Sequence, residues 1–326
     1  MKKIALLNLG GTITSVADPK TGKLQSGTLT GKQLIEQCHL GDLGIDLEIK
    51  DIKSIPSPEM KCSDILDIKK AIEETLKENV GGIVLTHGTD TMEETSYMLD
   101  LLLSTEVPVV LTGSQRSAKD LGFDGAPNIR DAIIVASDEM SRKRGVLVVF
   151  NQEVFCAKRV IKTNSAGLGG FSDPVSGPMG AVYGAKVKYF YEYTPDKAIK
   201  ILDEPLTNKV YLIKMTLDYP IEMLETLLNT DVKGLVVEGF GVGAVVPGVQ
   251  DVLEKYVNKN IPVILVSKCH TGGVWKVYGS KGAAVQLEKV GCILDEGYLQ
   301  GPKARLKLIA MLNSEYKDSI RENWNR

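Results

Sequence analysis

Short apolar runs alternate with amphipathic stretches along most of the chain. The runs are rich in β-branched residues and leucine, as in strands covered on both faces of a sheet, and the stretches between them carry apolar residues at helical spacing. This alternation predicts repeated strand–helix–strand units and a parallel sheet. The first half has predicted strands at 4–9, 82–86, 107–112 and 146–150, and predicted helices at 63–77, 91–103 and 126–137.

The pattern changes after residue 184, where a polar, aromatic-rich segment with two prolines indicates a domain boundary. A second α/β set follows, with predicted strands at 210–215, 234–238 and 261–266 and helices at 220–228, 249–257 and 303–313. We therefore predict an α/β fold with a larger N-terminal, doubly wound, mainly parallel sheet domain and a smaller C-terminal α/β domain. The predicted boundaries are 1–190 for the N-terminal α/β domain, 191–209 for a linker and 210–326 for the C-terminal α/β domain.

Charge and cysteine content narrow the choice of partners. Lys and Arg total 39 against 41 Asp and Glu, which gives a net charge of −2. This balance gives no sign of a positively charged surface that would bind a polyanion. No apolar stretch approaches the ~20 residues of a membrane span. We predict neither a nucleic-acid nor a membrane partner. The five cysteines are scattered without CxxC spacing, which argues against disulfides and zinc and favours a cytoplasmic location.

The sequence gives no sign of a cofactor. The chain has three histidines, with no paired ligand spacing, so we predict no metal centre. The glycines at 239, 241 and 243 follow a predicted strand but lack the spacing of a dinucleotide fingerprint. We predict no cofactor.

Two candidate chemical groups follow predicted strands. Gly10 and Gly11 allow a sharp turn that would bring the Thr12 hydroxyl to the carboxyl edge of the sheet, where ligands bind in open α/β folds. The alternative is a plain turn in which Thr12 caps. Thr89 and Asp90 lie just after the strand at 82–86 and would point to the same edge.

The segment around Thr89 also has a local interpretation. Asp90 with Glu93, or Thr91 with Glu94, has capping-box spacing, so helix initiation explains part of its polarity. His87 could serve as a base, but a histidine at a strand end is more often a structural donor.

Lys162 stands among apolar neighbours in the stretch VIKTN. Burial would favour its neutral form and make it a usable base. The alternative is an ordinary solvated lysine.

At these same residues the chain resembles the bacterial-type L-asparaginases, most closely the cytoplasmic type I group. The motifs that carry the resemblance are LNLGGTI, LTHGTDTMEET, VVLTGSQR, DGAPNIRDA, KRVIKTN and GPKAR. The resemblance implies hydrolysis of L-asparagine to L-aspartate and ammonia, and a homodimer or homotetramer.

The roles that the resemblance implies fall on eight residues. It makes Thr12 the nucleophile, with Thr89, Lys162 and Asp90 as second hydroxyl, base and orienting carboxylate. Thr89 and Asp90 also bind substrate, as do Gly11, Ser57, Gly88 and Ser114. Ser57 matches the serine that holds the substrate α-carboxylate, and backbone groups near Gly11, Thr89 and Ser114 suit an oxyanion hole.

The chain departs from the family pattern at three places. The loop 14–31, a predicted lid with Gly22 and Gly27 as hinges and Lys20, Lys23 and Gln25 as polar groups, lacks the tyrosine that usually contacts the nucleophile. Pro58 replaces a polar residue beside the substrate. Val242 replaces an asparagine that, in a related group, reaches the neighbouring subunit's substrate.

Three other functions stay open. The first is a glutaminase or another small-amide amidase, and the second is an ammonia-supplying partner of an aminoacyl-tRNA amidotransferase. The third is an aspartate-binding homologue with weakened catalysis.

Overall fold

The computed structural model describes residues 1–18, 21, 24–25, 30–36, 38, 40–41, 43–202 and 205–326. The chain divides into two compact units, Met1–Ala198 and Ile199–Arg326. In the predicted lid, Lys20, Gly22, Lys23 and Gly27 lie outside the described residues.

The first unit alternates strands and helices as its apolar pattern predicts. Its strands are β1 (Lys2–Asn8), β2 (Val16–Ala17), β3 (Leu24–Gln25), β4 (Ile45–Asp51), β5 (Gly82–Thr86), β6 (Val109–Thr112), β7 (Val146–Phe150), β8 (Glu153–Cys156), β9 (Ile161–Lys162), β10 (Phe171–Ser172), β11 (Gly180–Tyr183) and β12 (Lys186–Tyr189). Its helices are α1 (Gly31–Ile35), α2 (Cys62–Leu76), α3 (Met92–Leu102) and α4 (Gly125–Ser137), with short 3₁₀ turns at Thr12–Thr14, Ser57–Glu59 and Glu139–Ser141.

Within the described residues, eight of these strands form one sheet in the order β12-β11-β8-β7-β6-β5-β1-β4. The pairs from β4 to β7 are parallel, and the pairs that involve β8, β11 and β12 are antiparallel. The central strands β5 and β7 are buried along their whole length, because helices cover both faces of a doubly wound sheet.

The core explains why these strands are so apolar. Ile4, Leu6, Val84 and Val110 face the helix α4 across one side of the sheet and belong to one buried cluster with Ile133. Full burial of each such side chain contributes about 1.5–3 kcal/mol.

The second unit is a smaller α/β arrangement in which strands and helices again alternate. Its strands are β13 (Val210–Lys214), β14 (Gly234–Gly239), β15 (Val263–Ser267) and β16 (Ile293–Leu294), and its helices are α5 (Ile221–Leu228), α6 (Pro247–Asn258), α7 (Ala284–Lys289), α8 (Gly301–Leu312) and α9 (Ile320–Asn323). The four strands are parallel in chain order. Leu235, Val237, Leu253 and Leu265 lie in its core.

The predicted fold class is confirmed: a larger, mainly parallel N-terminal unit precedes a smaller parallel one. The predicted strand at 107–112 begins later, at Val109, because Pro108 has no N–H to donate to a sheet ladder. The boundaries 1–190, 191–209 and 210–326 stay a prediction.

Candidate active site

Four neighbouring strands of the first unit end side by side. In the register of the sheet, Asn8 lies opposite both Asp51 and Thr86, and Thr86 lies opposite Thr112. Each strand end is followed by a candidate residue: Asn8 by Thr12, Asp51 by Ser57, Thr86 by Thr89 and Thr112 by Ser114. The topology therefore places candidate residues that are far apart in sequence at one edge of the sheet.

Asn8 links three of these strand ends. Its Nδ2 donates to Asp51 Oδ1 at 2.7 Å, and its Oδ1 accepts from Thr86 Oγ1 at 2.6 Å. The same Oδ1 accepts from the Gly10 N–H at 3.3 Å. This buried amide fixes the direction in which the chain leaves β1 towards Thr12. The sequence showed Asn8 only as a polar interruption of an apolar strand.

The turn after β1 needs its glycines. Gly10 and Gly11 have φ of 91° and 92°, and a Cβ on Gly11 would lie 2.5 Å from the Gly88 nitrogen. The Thr12 and Gly88 segments are thus in backbone contact. Gly11, not Thr12, is the N-cap of the short 3₁₀ turn, so the interpretation of Thr12 as a cap is wrong.

Two buried hydroxyls hold the peptide that precedes Thr12. Thr14 Oγ1 and Ser15 Oγ both donate to the Gly11 carbonyl at 2.9 Å. Because a trans peptide is planar, fixing this carbonyl also fixes the N–H of Thr12 on the opposite side.

Lys162 joins Thr89 and Asp90 in one cluster. Its Nζ donates to Thr89 Oγ1 at 2.8 Å and lies 2.6 Å from Asp90 Oδ1. The Lys162 side chain is 14% exposed and that of Asp90 is 60% exposed. Thr89 is buried. Lys162 is therefore not a solvated surface lysine, and its Nζ is held between a hydroxyl and a carboxylate.

The capping interpretation of the segment after β5 is wrong for the Thr91 side chain. Thr91 occupies the N-cap position of α3, yet its side chain makes no capping hydrogen bond. Its hydroxyl donates instead to the Ser57 carbonyl at 2.8 Å. The Glu93 carboxylate accepts the backbone N–H of Lys162. The polar residues of this turn serve contacts to other segments.

Ser57 and Ser114 occupy different environments. Ser57 is buried against Gly88, because a Cβ added to Gly88 would lie only 2.6 Å from Ser57 Oγ. Ser114 Oγ donates within its own turn, to the Arg116 carbonyl at 2.7 Å. The Ser114 hydroxyl therefore already has a hydrogen-bond partner, so the backbone of Ser114 is the part that could contact a ligand.

Asp124 and Asn128 fix the turn after β6. Asp124 accepts from the N–H groups of Gln115 and Arg116 at 3.0 and 2.9 Å, and Asn128 Nδ2 donates to the Gly113 carbonyl at 2.9 Å. Their motif was visible in sequence, but the partners were not.

His87 is a structural donor. Its ring is 1% exposed, and Nδ1 lies 2.7 Å from the Gly88 carbonyl, so Nδ1 carries the proton. Burial lowers the pKa of His87 to about 4 and keeps the ring neutral near pH 7.

Within the part of the chain that the structure describes, no group of three or more His, Cys, Asp or Glu side chains could hold a metal ion. No helix among those same residues is long and apolar enough to cross a membrane.

The fold and the cluster together define a two-unit α/β protein in which a lysine contacts hydroxyl and carboxylate groups that follow the end of a parallel strand. Its sequence matches the N-terminal asparaginase model over residues 3–195 and the glutaminase/asparaginase C-terminal domain model over residues 209–324. The chain belongs to the asparaginase family.

Individual relatives match this chain over nearly its full length. The chain is 34% identical over 324 residues to the L-asparaginase of Bacillus licheniformis, covering 99% of both chains. It is 34% identical over 325 residues to the probable periplasmic L-asparaginase of Haemophilus influenzae (strain ATCC 51907 / DSM 11121 / KW20 / Rd), covering 98% of this chain and 90% of the relative. The crystal structure of the probable cytoplasmic L-asparaginase from Campylobacter jejuni is similar, with a TM-score of 0.85, 29% identity and coverage of 99% and 98%.

Proposed function

We propose that this protein is an L-asparagine amidohydrolase, which converts L-asparagine to L-aspartate and ammonia through an acyl-enzyme on Thr12. The observation that carries the proposal is the contact of Lys162 with Thr89 and Asp90, beside the turn that presents Thr12. Family membership supports the choice of substrate, since the similar protein of Bacillus licheniformis is an L-asparaginase.

The first half of the reaction forms the acyl-enzyme. Thr12 Oγ1 attacks the side-chain amide carbon, its proton passes to Thr89, and Lys162, acting as the base, takes the proton of Thr89. The carbonyl oxygen becomes an oxyanion, held by backbone N–H groups near Gly11, Thr89 and Ser114. The C–N bond then breaks, and the leaving nitrogen takes the proton that Lys162 received, so it departs as ammonia and the base is free again.

Water completes the reaction. It attacks the ester carbon and gives a proton to the same base, which passes it to Thr12 Oγ1 as the ester C–O bond breaks and aspartate leaves. Asp90 holds the Lys162 amine in place, so that the base keeps its position through both steps.

Substrate binding uses groups on both sides of this cluster. Ser57, buried beside Gly88, is the partner for the α-carboxylate. Asp90 is exposed and pairs with Lys162 through Oδ1, which suits its second role of facing the α-ammonium group. A charge at each end of the substrate would fix the amide carbon near Thr12.

The wider setting belongs to the same proposal. Residues 1–190 form the catalytic domain, 191–209 the linker and 210–326 the C-terminal domain of a homodimer or homotetramer. A cytoplasmic location is supported by five free cysteines and by the similar protein of Campylobacter jejuni.

Ammonia release tests the activity. The purified protein is expected to release ammonia from L-asparagine faster than from L-glutamine or other small amides. Thr12→Ala should lower the rate by at least about a thousandfold while leaving the fold and aspartate binding intact. Thr12→Ser is the control, since it keeps the nucleophilic oxygen and should retain measurable turnover.

The same assay separates the alternatives. Faster release from L-glutamine would indicate a glutaminase. Aspartate binding without ammonia from any amide would indicate a binding protein, and near-normal turnover by Thr12→Ala would exclude Thr12 as the nucleophile.

A further inference from the structure

We propose that Thr91 and Glu93, in the first turn of α3, are positioning residues that hold the two halves of the site in register. Glu93 fixes the backbone that carries the catalytic Lys162, and Thr91 fixes the backbone that carries the substrate-binding Ser57. This inference rests on the proposed function and adds two residues to it, neither of which contacts the reacting atoms.

Lys162 depends on Glu93 because of the element that carries it. The strand β9 has two residues and pairs only with β10 in a separate two-stranded sheet, within the described part of the chain. The backbone N–H of Lys162 does not join the main sheet but donates to the half-buried Glu93 carboxylate. Glu93 therefore attaches this small sheet to the helix whose preceding turn carries Thr89 and Asp90.

The contacts at Lys162 form a closed arrangement. Its Nζ reaches Thr89 and Asp90, at the start of the turn, and its backbone N–H reaches Glu93 at the end of that turn. The lysine is held at both ends of its side chain by one segment of five residues. Loss of the backbone contact would free one of the two ends at which this segment holds the lysine, while the small sheet stays packed through the buried side chains of Ile161 and Phe171.

Thr91 holds the opposite side. Its hydroxyl donates to the Ser57 carbonyl at 2.8 Å, in the short 3₁₀ turn Ser57–Glu59. That turn follows the edge strand β4 and packs against Gly88. Among the residues that the structure describes, β4 pairs with a strand on one side only, so this hydrogen bond supplies a lateral constraint that the sheet does not give.

The kinetic consequences differ for the two residues. A base displaced by about 1 Å can cost about a hundredfold in rate, whereas a displaced carboxylate-binding serine weakens binding in ground and transition states alike. Glu93 variants should therefore lower kcat, and Thr91 variants should raise KM.

The Glu93 experiment compares Glu93→Ala with Glu93→Gln. Glu93→Ala should lower kcat about 30-fold or more and change KM by less than about threefold. Glu93→Gln keeps an amide oxygen that accepts the Lys162 N–H. Its log kcat should lie at least about a third of the way back from that of Glu93→Ala to that of wild type. The matched controls are Asp64→Ala and Asp64→Asn, which alter a carboxylate that accepts the Lys61 N–H at 2.9 Å in the first turn of α2. A kcat no lower than in Asp64→Ala, or no recovery by glutamine, would overturn the role of Glu93.

The Thr91 experiment compares Thr91→Val, which keeps the shape but removes the hydroxyl, with Thr91→Ser. Valine should raise KM about tenfold with kcat within about threefold, and serine should restore KM. Thr226→Val is the control, because Thr226 Oγ1 donates to the Glu222 carbonyl at 2.8 Å in the second unit. An unchanged KM, or a fall in kcat equal to the rise in KM, would overturn the role of Thr91.

Two measurements separate this inference from the proposed function. Wild-type turnover of L-asparagine tests the function alone. Hydrogen exchange of the Lys162 amide needs no activity: Glu93→Ala should lose its protection, and Asp64→Ala should keep it. Equal protection in wild type and Glu93→Ala would reject the backbone anchor even in a fully active enzyme.

Discussion

At the scale of single residues, Lys162 lies in an environment unlike that of an ordinary surface lysine. A lysine side chain usually extends into water, but this one is 14% exposed and contacts a hydroxyl and a carboxylate. The proposed proton transfer requires this contact with Thr89. The lysine should therefore matter for rate more than for folding.

Replacing Lys162 by methionine tests that expectation. Methionine keeps much of the volume of the stem but cannot accept a proton, so kcat for L-asparagine should fall at least about a hundredfold. The matched control is Lys158→Met, which removes a partly buried lysine that pairs with Asp196 at 2.7 Å. Normal hydrolysis by Lys162→Met at neutral pH would make this lysine structural only.

His87 should make the protein sensitive to acid. Its pKa is about 4 in the folded protein and 6.5 in its ordinary state, so below pH 6.5 the unfolded chain binds a proton that the folded chain does not. Stability is then lost as the pH falls from 6.5 towards 4. The full shift corresponds to ~3 kcal/mol.

Urea unfolding at pH 7 and pH 4.5 measures this loss. His87→Gln, which can still donate to the Gly88 carbonyl, should lose about 2.5 kcal/mol less unfolding free energy between the two pH values than wild type. His270→Gln is the control, because His270 is exposed. An equal loss in wild type and His87→Gln would contradict a buried, neutral His87.

At the scale of elements, the apolar pattern predicted strands best where both faces are buried. The strands at 82–86 and 146–150 have the predicted bounds. The edge strand β4 was missed, because its sequence IDLEIKD alternates apolar and charged residues and its burial is only partial. The hairpin of β11 and β12 was missed too, in a region of mixed polarity.

The pattern of strands predicted those candidate-site residues that directly follow a strand end. Thr12 and Thr89 follow adjacent strands, and that adjacency comes from the parallel topology. Apolar neighbours made Lys162 a candidate base, but only the resemblance assigned it to the site, since a two-residue strand outside the main sheet leaves no periodic signal. Glu93 and Thr91 have capping-box neighbours, so local rules assigned them to the helix. Only the coordinates show their distant partners.

At the scale of the whole molecule, the main prediction concerns assembly. The second unit exposes Trp275, Val277 and Tyr278, with relative exposures of 54%, 64% and 61%. Apolar side chains this exposed are typical of surfaces that become covered on association. A homo-oligomer would cover such a surface by closed two-fold symmetry.

Light scattering of the purified protein tests the oligomer. The expected mass is two or four times the chain mass of 35.5 kDa. A dilution series with parallel ammonia assays provides the control, since activity should fall if dissociation disturbs the site. A fully active particle of one chain mass would contradict the prediction.

The separation in sequence between the partners of the site also bears on how the protein acquires activity. Thr91 and Ser57 are 34 positions apart, and Lys162 and Thr89 are 73 positions apart. Contacts across such long loops form late, because the chain must lose loop entropy before they contribute. During refolding, helix content should therefore return before catalysis. A chain that has recovered its far-ultraviolet circular dichroism would still be inactive until the hairpin that carries Lys162 has docked.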